Sequence, residues 1–331
     1  MSELFMQGYA VVVGAGGDLP VTASDALGVA KQLRDPGRCA YPPGQVRCLT
    51  NAEARRGAVL EALDWLGGAA GPEATATVYF SGHGAETPEH YLMPHGYQMS
   101  DLPGTAITGR EFTEKLRAIR AKKLIVLLDC CFAGGVADAG AEAKGPAWVK
   151  SPLPPDVIEA LGASSGRVVI ASSRKDEGSW TGTPYSVFTR AVLEALAGYG
   201  AFEQDGFARV LDLALYVGRM VANRTGDKQH PIIKVARLED NFALAYTAGG
   251  SKQPKKLEWS ESAPDVLVAG VSAADVANWR RILANRREAR LLMEERMSDY
   301  VEYTEVPLTL IRNKRRTDEE IAELERKLGG G

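Results

Sequence analysis

Short apolar runs alternate with amphipathic stretches along most of the chain. Tyr9 to Val13 is an apolar strand, Gly14-Ala15-Gly16-Gly17-Asp18-Leu19-Pro20 a loop, and Ala23 to Leu33 has helical periodicity. Val46 to Leu49 predicts a second strand. Thr50-Asn51-Ala52-Glu53 matches a capping box, so a helix is expected from there to about Leu66, closed by Gly67 to Pro72. Thr75-Ala76-Thr77-Val78-Tyr79-Phe80, rich in β-branched and aromatic residues, predicts a third strand running into Ser81-Gly82-His83-Gly84. Ala85 to Leu102 is polar and irregular, and Thr108-Gly109-Arg110-Glu111 opens a helix to about Arg120. The aliphatic run Leu124 to Leu128 reads as a fully buried strand. It stops at Asp129-Cys130-Cys131 and a small-residue turn, Phe132-Ala133-Gly134-Gly135.

Strands alternating with helices in this way predict a mostly parallel sheet with helices on both faces. Residues 136–156 are rich in Ala, Gly and Pro and read as a flexible connection. Beyond it the pattern predicts a helix near Pro155 to Leu161, a strand at Arg167 to Ser172 and a helix at Ser186 to Ala197. A helix from Phe207 to about Thr225, a strand at Ile232 to Ala236 and a short strand within Asn241 to Tyr246 complete this region. The domain layout expected is therefore 1–248 as one α/β domain, 249–271 as a linker and 272–331 as a helical module. Ser272-Ala273-Ala274-Asp275 and Thr317-Asp318-Glu319-Glu320 cap the helices of that module.

Composition narrows the function classes. The 331 residues carry a net charge of -3, which gives no global case for binding nucleic acid or a membrane surface. No apolar run approaches membrane-spanning length, and the first residues lack the basic and apolar segments of a secretory signal. Cytoplasmic residence with reduced thiols is the default expectation. Basic and acidic residues balance in 273–331, which favours a solvated, partner-binding helical surface there. A dinucleotide site is disfavoured because Leu19 stands where G-x-G-x-x-G needs its third glycine, and no P-loop occurs. Zinc is disfavoured because adjacent cysteines do not reproduce C-x-x-C and the four histidines form no ligand pattern.

The remaining chemistry lies at two strand ends. In a parallel sheet, His83 and Cys131 both fall at the carboxyl edge, where open α/β folds bind ligands. An imidazole that takes the thiol proton turns cysteine into a strong nucleophile. A histidine beside glycines is also a turn pattern, and paired cysteines also serve as buried filler. Their joint placement, His before Cys, favours the nucleophilic pair.

Val78-Tyr79-Phe80-Ser81-Gly82-His83-Gly84 together with Leu128-Asp129-Cys130-Cys131-Phe132-Ala133-Gly134 resembles the core of the caspase-like cysteine peptidases, in particular the bacterial metacaspase or orthocaspase group. Caspases place their histidine about 50 residues upstream of the cysteine, and the spacing here agrees. The resemblance covers residues 8 to about 247, with Ala171-Ser172-Ser173 and Tyr185-Ser186-Val187-Phe188-Thr189 in its second half.

That resemblance implies a caspase-haemoglobinase-like fold and a cysteine endopeptidase. His83 would be the general base and Cys131 the nucleophile, with the amides of Gly84 and Cys131 as the oxyanion hole. By strand alternation, a Cys131 side chain facing the cleft puts Cys130 toward the core and Asp129 on the cleft side. Asp25 occupies the place of the family's second acidic pocket residue; the other reading of Asp25 is a first-turn acid complementing the helix dipole. Asp25 and Asp129 together predict Arg or Lys before the scissile bond, since a buried Asp129 left unpaired would be costly. Lys144 and Lys150, in the flexible stretch, are then candidate self-processing sites. No metal or other cofactor is expected, and the calcium activation common in the family has no assignable acidic loop here. A signalling or defence role, with residues 272–331 recruiting a protein partner, follows from the domain pairing. The other functional class is a catalytically silent caspase-like scaffold acting through binding.

Overall fold

The structure is a computed structural model and describes residues 3–17, 19–86, 89–131, 166–174, 177, 179–236 and 238–250, with isolated positions at 257, 290, 294, 314, 317, 318 and 321. The chain divides into two compact units, Met1–Val266 and Leu267–Gly331.

In the first unit the central sheet runs β2 (Val46–Thr50), β1 (Gly8–Gly14), β3 (Thr75–Glu86), β6 (Lys123–Cys131), β7 (Arg167–Ala171) and β9 (Ile232–Ala236). All neighbours along this path are parallel except β7 and β9. The pleat sorts side chains into two layers. Ala10, Val12, Tyr79, Ile125 and Leu127 pack with α1 (Pro20–Arg34), α5 (Val187–Leu196) and α6 (Val210–Arg224). Val11, Val13, Val78, Phe80, Val126 and Leu128 pack with α2 (Arg56–Ala69) and α4 (Gly109–Ala118). The continuous apolar reading of these strands follows from burial on both faces.

Several elements depart from expectation. The first helix begins at Pro20, so Asp25 lies in its second turn and its first turn has no acid. Thr50 makes no side-chain cap: Asn51–Glu53 is a 3₁₀ turn and α2 starts only at Arg56. The box at Thr108 does form, with Thr108 and Glu111 hydrogen-bonded reciprocally. The third strand runs on through Ser81-Gly82-His83-Gly84 to Glu86, so His83 sits inside a strand and not after one. Glycines interrupt the β pattern there, yet Gly82 suits it: a Cβ at that position would lie 2.9 Å from the Phe80 ring.

The polar segment after it contains β4 (His90–Met93), α3 (Leu102–Thr105) and β5 (Ile107–Thr108), with β4 antiparallel to both β3 and β5. Phe207–Arg209 is a strand, β8, preceding α6. It pairs with β10 (Ala243–Tyr246) in a separate two-stranded sheet. The expected helix at Pro155 to Leu161 and the connection at 136–156 lie outside the described residues. So does most of 249–271, of which Gly249, Gly250 and Leu257 are described. In the second unit the isolated positions are helical, and Lys314 bridges Glu294 at 3.3 Å and Asp318 at 3.0 Å.

Candidate active site

The β3–β6 register builds the site. Ser81 lies opposite Asp129, Gly82 opposite Cys130 and His83 opposite Cys131. The two residues of the expected dyad therefore occupy one rung of the sheet, at the carboxyl end where β6 terminates. His83 is half-buried, and its ring meets that of Tyr97 edge-on at 6.4 Å between centroids. Across β3's other neighbour, Gly84 stands opposite Leu92 of β4. Cys130 is buried in the α2/α4 layer with Leu128 and Phe80, as alternation along β6 requires. Lys144 and Lys150 lie outside the described residues.

Asp129 belongs to the opposite row, with Ile125 and Leu127, and is 1 % exposed. Its Oδ1 accepts from Ser179 Oγ at 3.1 Å. Its Oδ2 accepts from Thr189 Oγ1 at 2.9 Å and from the Ser186 hydroxyl. Asp25, 0 % exposed, accepts the Ser186 amide at 2.9 Å on Oδ1 and the Ser81 hydroxyl at 3.2 Å on Oδ2. The two expected pocket acids thus converge on one residue, Ser186, the N-cap of α5. Asp129 is buried but not unpaired, since these three hydroxyls donate to it. What both acids do lack, among the described residues, is an ion pair.

Burial, and next the nearby charge of Asp129, raises the pKa of Asp25 to about 8. Burial also raises that of Asp129, against the opposing pull of its hydroxyl donors. The donor pattern places the proton. Both Asp129 oxygens accept hydrogen bonds from side-chain hydroxyls, an arrangement suited to the anion. Asp25 Oδ2 accepts from the rotatable Ser81 hydroxyl at 3.2 Å, so Asp25 can carry the proton there without losing the fixed Ser186 amide on Oδ1. An anionic Asp129 beside a protonated Asp25 is the assignment this donor pattern favours.

Ser186 and Thr189 lie in a stretch that carries the resemblance, but the resemblance does not foresee their contact with Asp129, or that of Ser179. Ser186, Thr189 and Ser179 come from the segment after β7 and reach Asp129 from 57, 60 and 50 positions away. Besides that motif, the density of hydroxyl residues between Ser172 and Thr189 is a signal for donors to a buried acid. Gln229 ties this segment down: its amide donates to Ser172 O at 2.8 Å and accepts the Trp180 amide at 2.9 Å. Glu177 holds His230, through the His230 backbone N–H at 2.6 Å and its Nδ1 at 2.7 Å. Tyr79, fully buried on β3, hydrogen-bonds Thr189 Oγ1. Because the Thr189 proton goes to Asp129, the phenol is the donor. Tyr79→Phe leaves Thr189 one donor short, and urea unfolding should show a loss of about 1 kcal/mol.

Among the described residues no three His, Cys, Asp or Glu side chains gather as metal ligands, and no helix is long and apolar enough to cross a membrane.

Comparison with known proteins bears on the whole of this region. The chain is similar in fold to the crystal structure of protein GSU0716 from Geobacter sulfurreducens, with a TM-score of 0.50 at 16% identity over 72% of this chain and 97% of that one. No curated protein sequence matches it. The caspase domain profile matches residues 7–243, a span that takes in β1 through the start of β10 and with it His83, Cys131 and both acids. The chain therefore belongs to the caspase domain family of cysteine peptidases.

Proposed function

We propose that this protein is a cysteine endopeptidase cleaving after Arg or Lys. The observation that carries the proposal is the joint placement, at one sheet edge, of a His83–Cys131 register pair and two buried carboxylates without a cation among the described residues. His83 takes the Cys131 thiol proton, and the thiolate adds to the scissile carbonyl carbon. The amides of Gly84 and Cys131 receive the negative charge that develops on the carbonyl oxygen. His83 then protonates the leaving amine as the C–N bond breaks, and the thioester is hydrolysed by a water that His83 deprotonates. The substrate's guanidinium or ammonium group pairs with Asp25 and Asp129. Residues 272–331 act as a partner-binding module, as their balanced charge suggests.

Fluorogenic tetrapeptides differing only before the reporter test this reading. Turnover of the Arg peptide should exceed that of the Asp peptide by at least about a hundredfold, since like charges in a buried site cost several kcal/mol. Turnover of neither peptide would point to a silent scaffold, and preference for Asp would refute the basic specificity.

A further inference from the structure

Ser186 touches both acids, and no part of the reaction as proposed assigns it a role. We propose that Ser186 is the positioning residue for substrate selection, its amide and hydroxyl holding Asp25 and Asp129 as a single two-carboxylate receptor for a guanidinium or ammonium group. The inference rests on the basic-substrate reading above and names what builds its specificity site.

Three observations support it. The first is the division of donors: the Ser186 amide goes to Asp25 on α1, and its hydroxyl goes to Asp129 on β6. The second is that the hydroxyl has no freedom. It accepts the Thr189 N–H at 2.9 Å as the cap of α5, so its one proton is committed to Asp129. Rotation would forfeit a helix cap and a buried acid's donor together. The third is that the preceding residue is seated on the helix that carries Asp25. A Cβ on Gly28 would lie 2.4 Å from the Tyr185 ring, so glycine there makes room for the ring one turn from Asp25. The Tyr185-Ser186 pair thereby clasps α1 to β6 at the point where the two carboxylates meet. Among the described residues, the titratable groups facing the pair include Tyr79 on β3 and Tyr185; burial first, and then the nearby acids (both for Tyr79, Asp25 for Tyr185), push both phenols up from their ordinary range.

A consequence follows for pH. The hydroxyl favours the anionic form of Asp129. Without it, Asp129 stays protonated to higher pH and the receptor loses the charge that selects a cation. The acid limb of the kcat/KM profile for a basic peptide should therefore move upward.

Ser186→Gly is the variant of choice: it keeps the amide, retains most of the capping preference and removes only the hydroxyl. The expected result is a roughly tenfold rise in KM for the Arg peptide at pH 7 with kcat within about twofold, and an acid limb shifted up by about one pH unit. Ser186→Thr should restore both. A merely structural role would lower the melting temperature and leave the pH limb in place. If wild type cleaves the Arg peptide and Ser186→Gly keeps its KM and its profile, this inference fails while the peptidase reading stands. If wild type cleaves no basic peptide, calorimetric titration of benzamidine into the full chain carrying Cys131→Ala decides. Binding weakened by Ser186→Gly upholds the receptor without the peptidase, and no binding overturns it.

Discussion

Cys131→Ala is expected to lower turnover of an Arg peptide by about ten-thousandfold or more, and His83→Ala by a comparable factor, with the double variant scarcely worse than either. The non-additivity is the informative part. In the proposed mechanism His83 and Cys131, which share one rung of the β3–β6 ladder, act as a unit, so removal of either leaves only the contribution of binding and of the proposed oxyanion amides. Two residues contributing independently would instead show losses that multiply. Cys130→Ala provides the control on the same strand. Cys130 is buried in the α2/α4 layer, and its truncation removes a small apolar group from a packed interior. The expected cost is about 1 kcal/mol of stability with turnover retained within a few-fold. Wild-type turnover by Cys131→Ala, or loss of turnover in Cys130→Ala with Cys131 intact, would overturn the assignment of the nucleophile.

The parts readable from sequence were those encoded by a single strand or helix. The apolar run ending at Asp129, the hydroxyl cap at Thr108 and the helix after Ser186 all appear where local pattern places them. The order of the strands brought His83 and Cys131 to one edge, and the register places them on one rung. Pattern failed where tertiary pairing overrides local preference. Ser81-Gly82-His83-Gly84 reads as a break because glycine is a poor strand former, yet β4 and β6 flank it and hold it extended. Phe207–Arg209 looks like the start of a helix until β10 pairs with it. The same limit applied to the acids. Read from sequence, Asp129 calls for a substrate cation because a carboxylate buried without a partner is costly. Its donors arrive from a segment 50 to 60 positions away, a distance across which no local motif speaks.

Asp25→Asn is expected to make the protein more stable and a worse enzyme, and the sign of the stability effect depends on pH. An aspartate in the unfolded chain titrates near 3.9, whereas in the folded protein burial and then the charge of Asp129 raise the pKa of Asp25 to about 8. Between these values the folded state holds a proton that the unfolded state has released. Stability therefore falls as pH rises from about 4 to about 8 and levels off above it. Keeping that proton at pH 7 costs on the order of 4 kcal/mol, from about 3 pH units at 1.36 kcal/mol each. Asparagine is neutral at every pH and fits the same volume. It can accept the Ser186 amide through its carbonyl oxygen, though its amide group must find a new partner, so about 2–3 kcal/mol should be recovered. Thermal melts of both proteins at pH 5, 6, 7 and 8 should show a melting-temperature difference that widens with pH to roughly 5 °C or more. The difference should be small near pH 4, where aspartate is protonated in both states. The functional effect has the opposite sign. A substrate cation gains a full carboxylate only by expelling the Asp25 proton, a step that becomes easier as pH approaches 8. Wild-type KM for an Arg peptide should accordingly fall between pH 6 and 8. In Asp25→Asn that dependence should flatten and KM at pH 8 should rise by about ten- to a hundredfold, because one of the two charges facing the cation is gone. A variant less stable than wild type at pH 8, or one retaining the pH dependence of KM, would show that Asp25 is neither the strained acid nor the one that releases its proton to the substrate. If the expected pattern holds, the acid pair is a site where folding free energy is given up for recognition of a basic side chain.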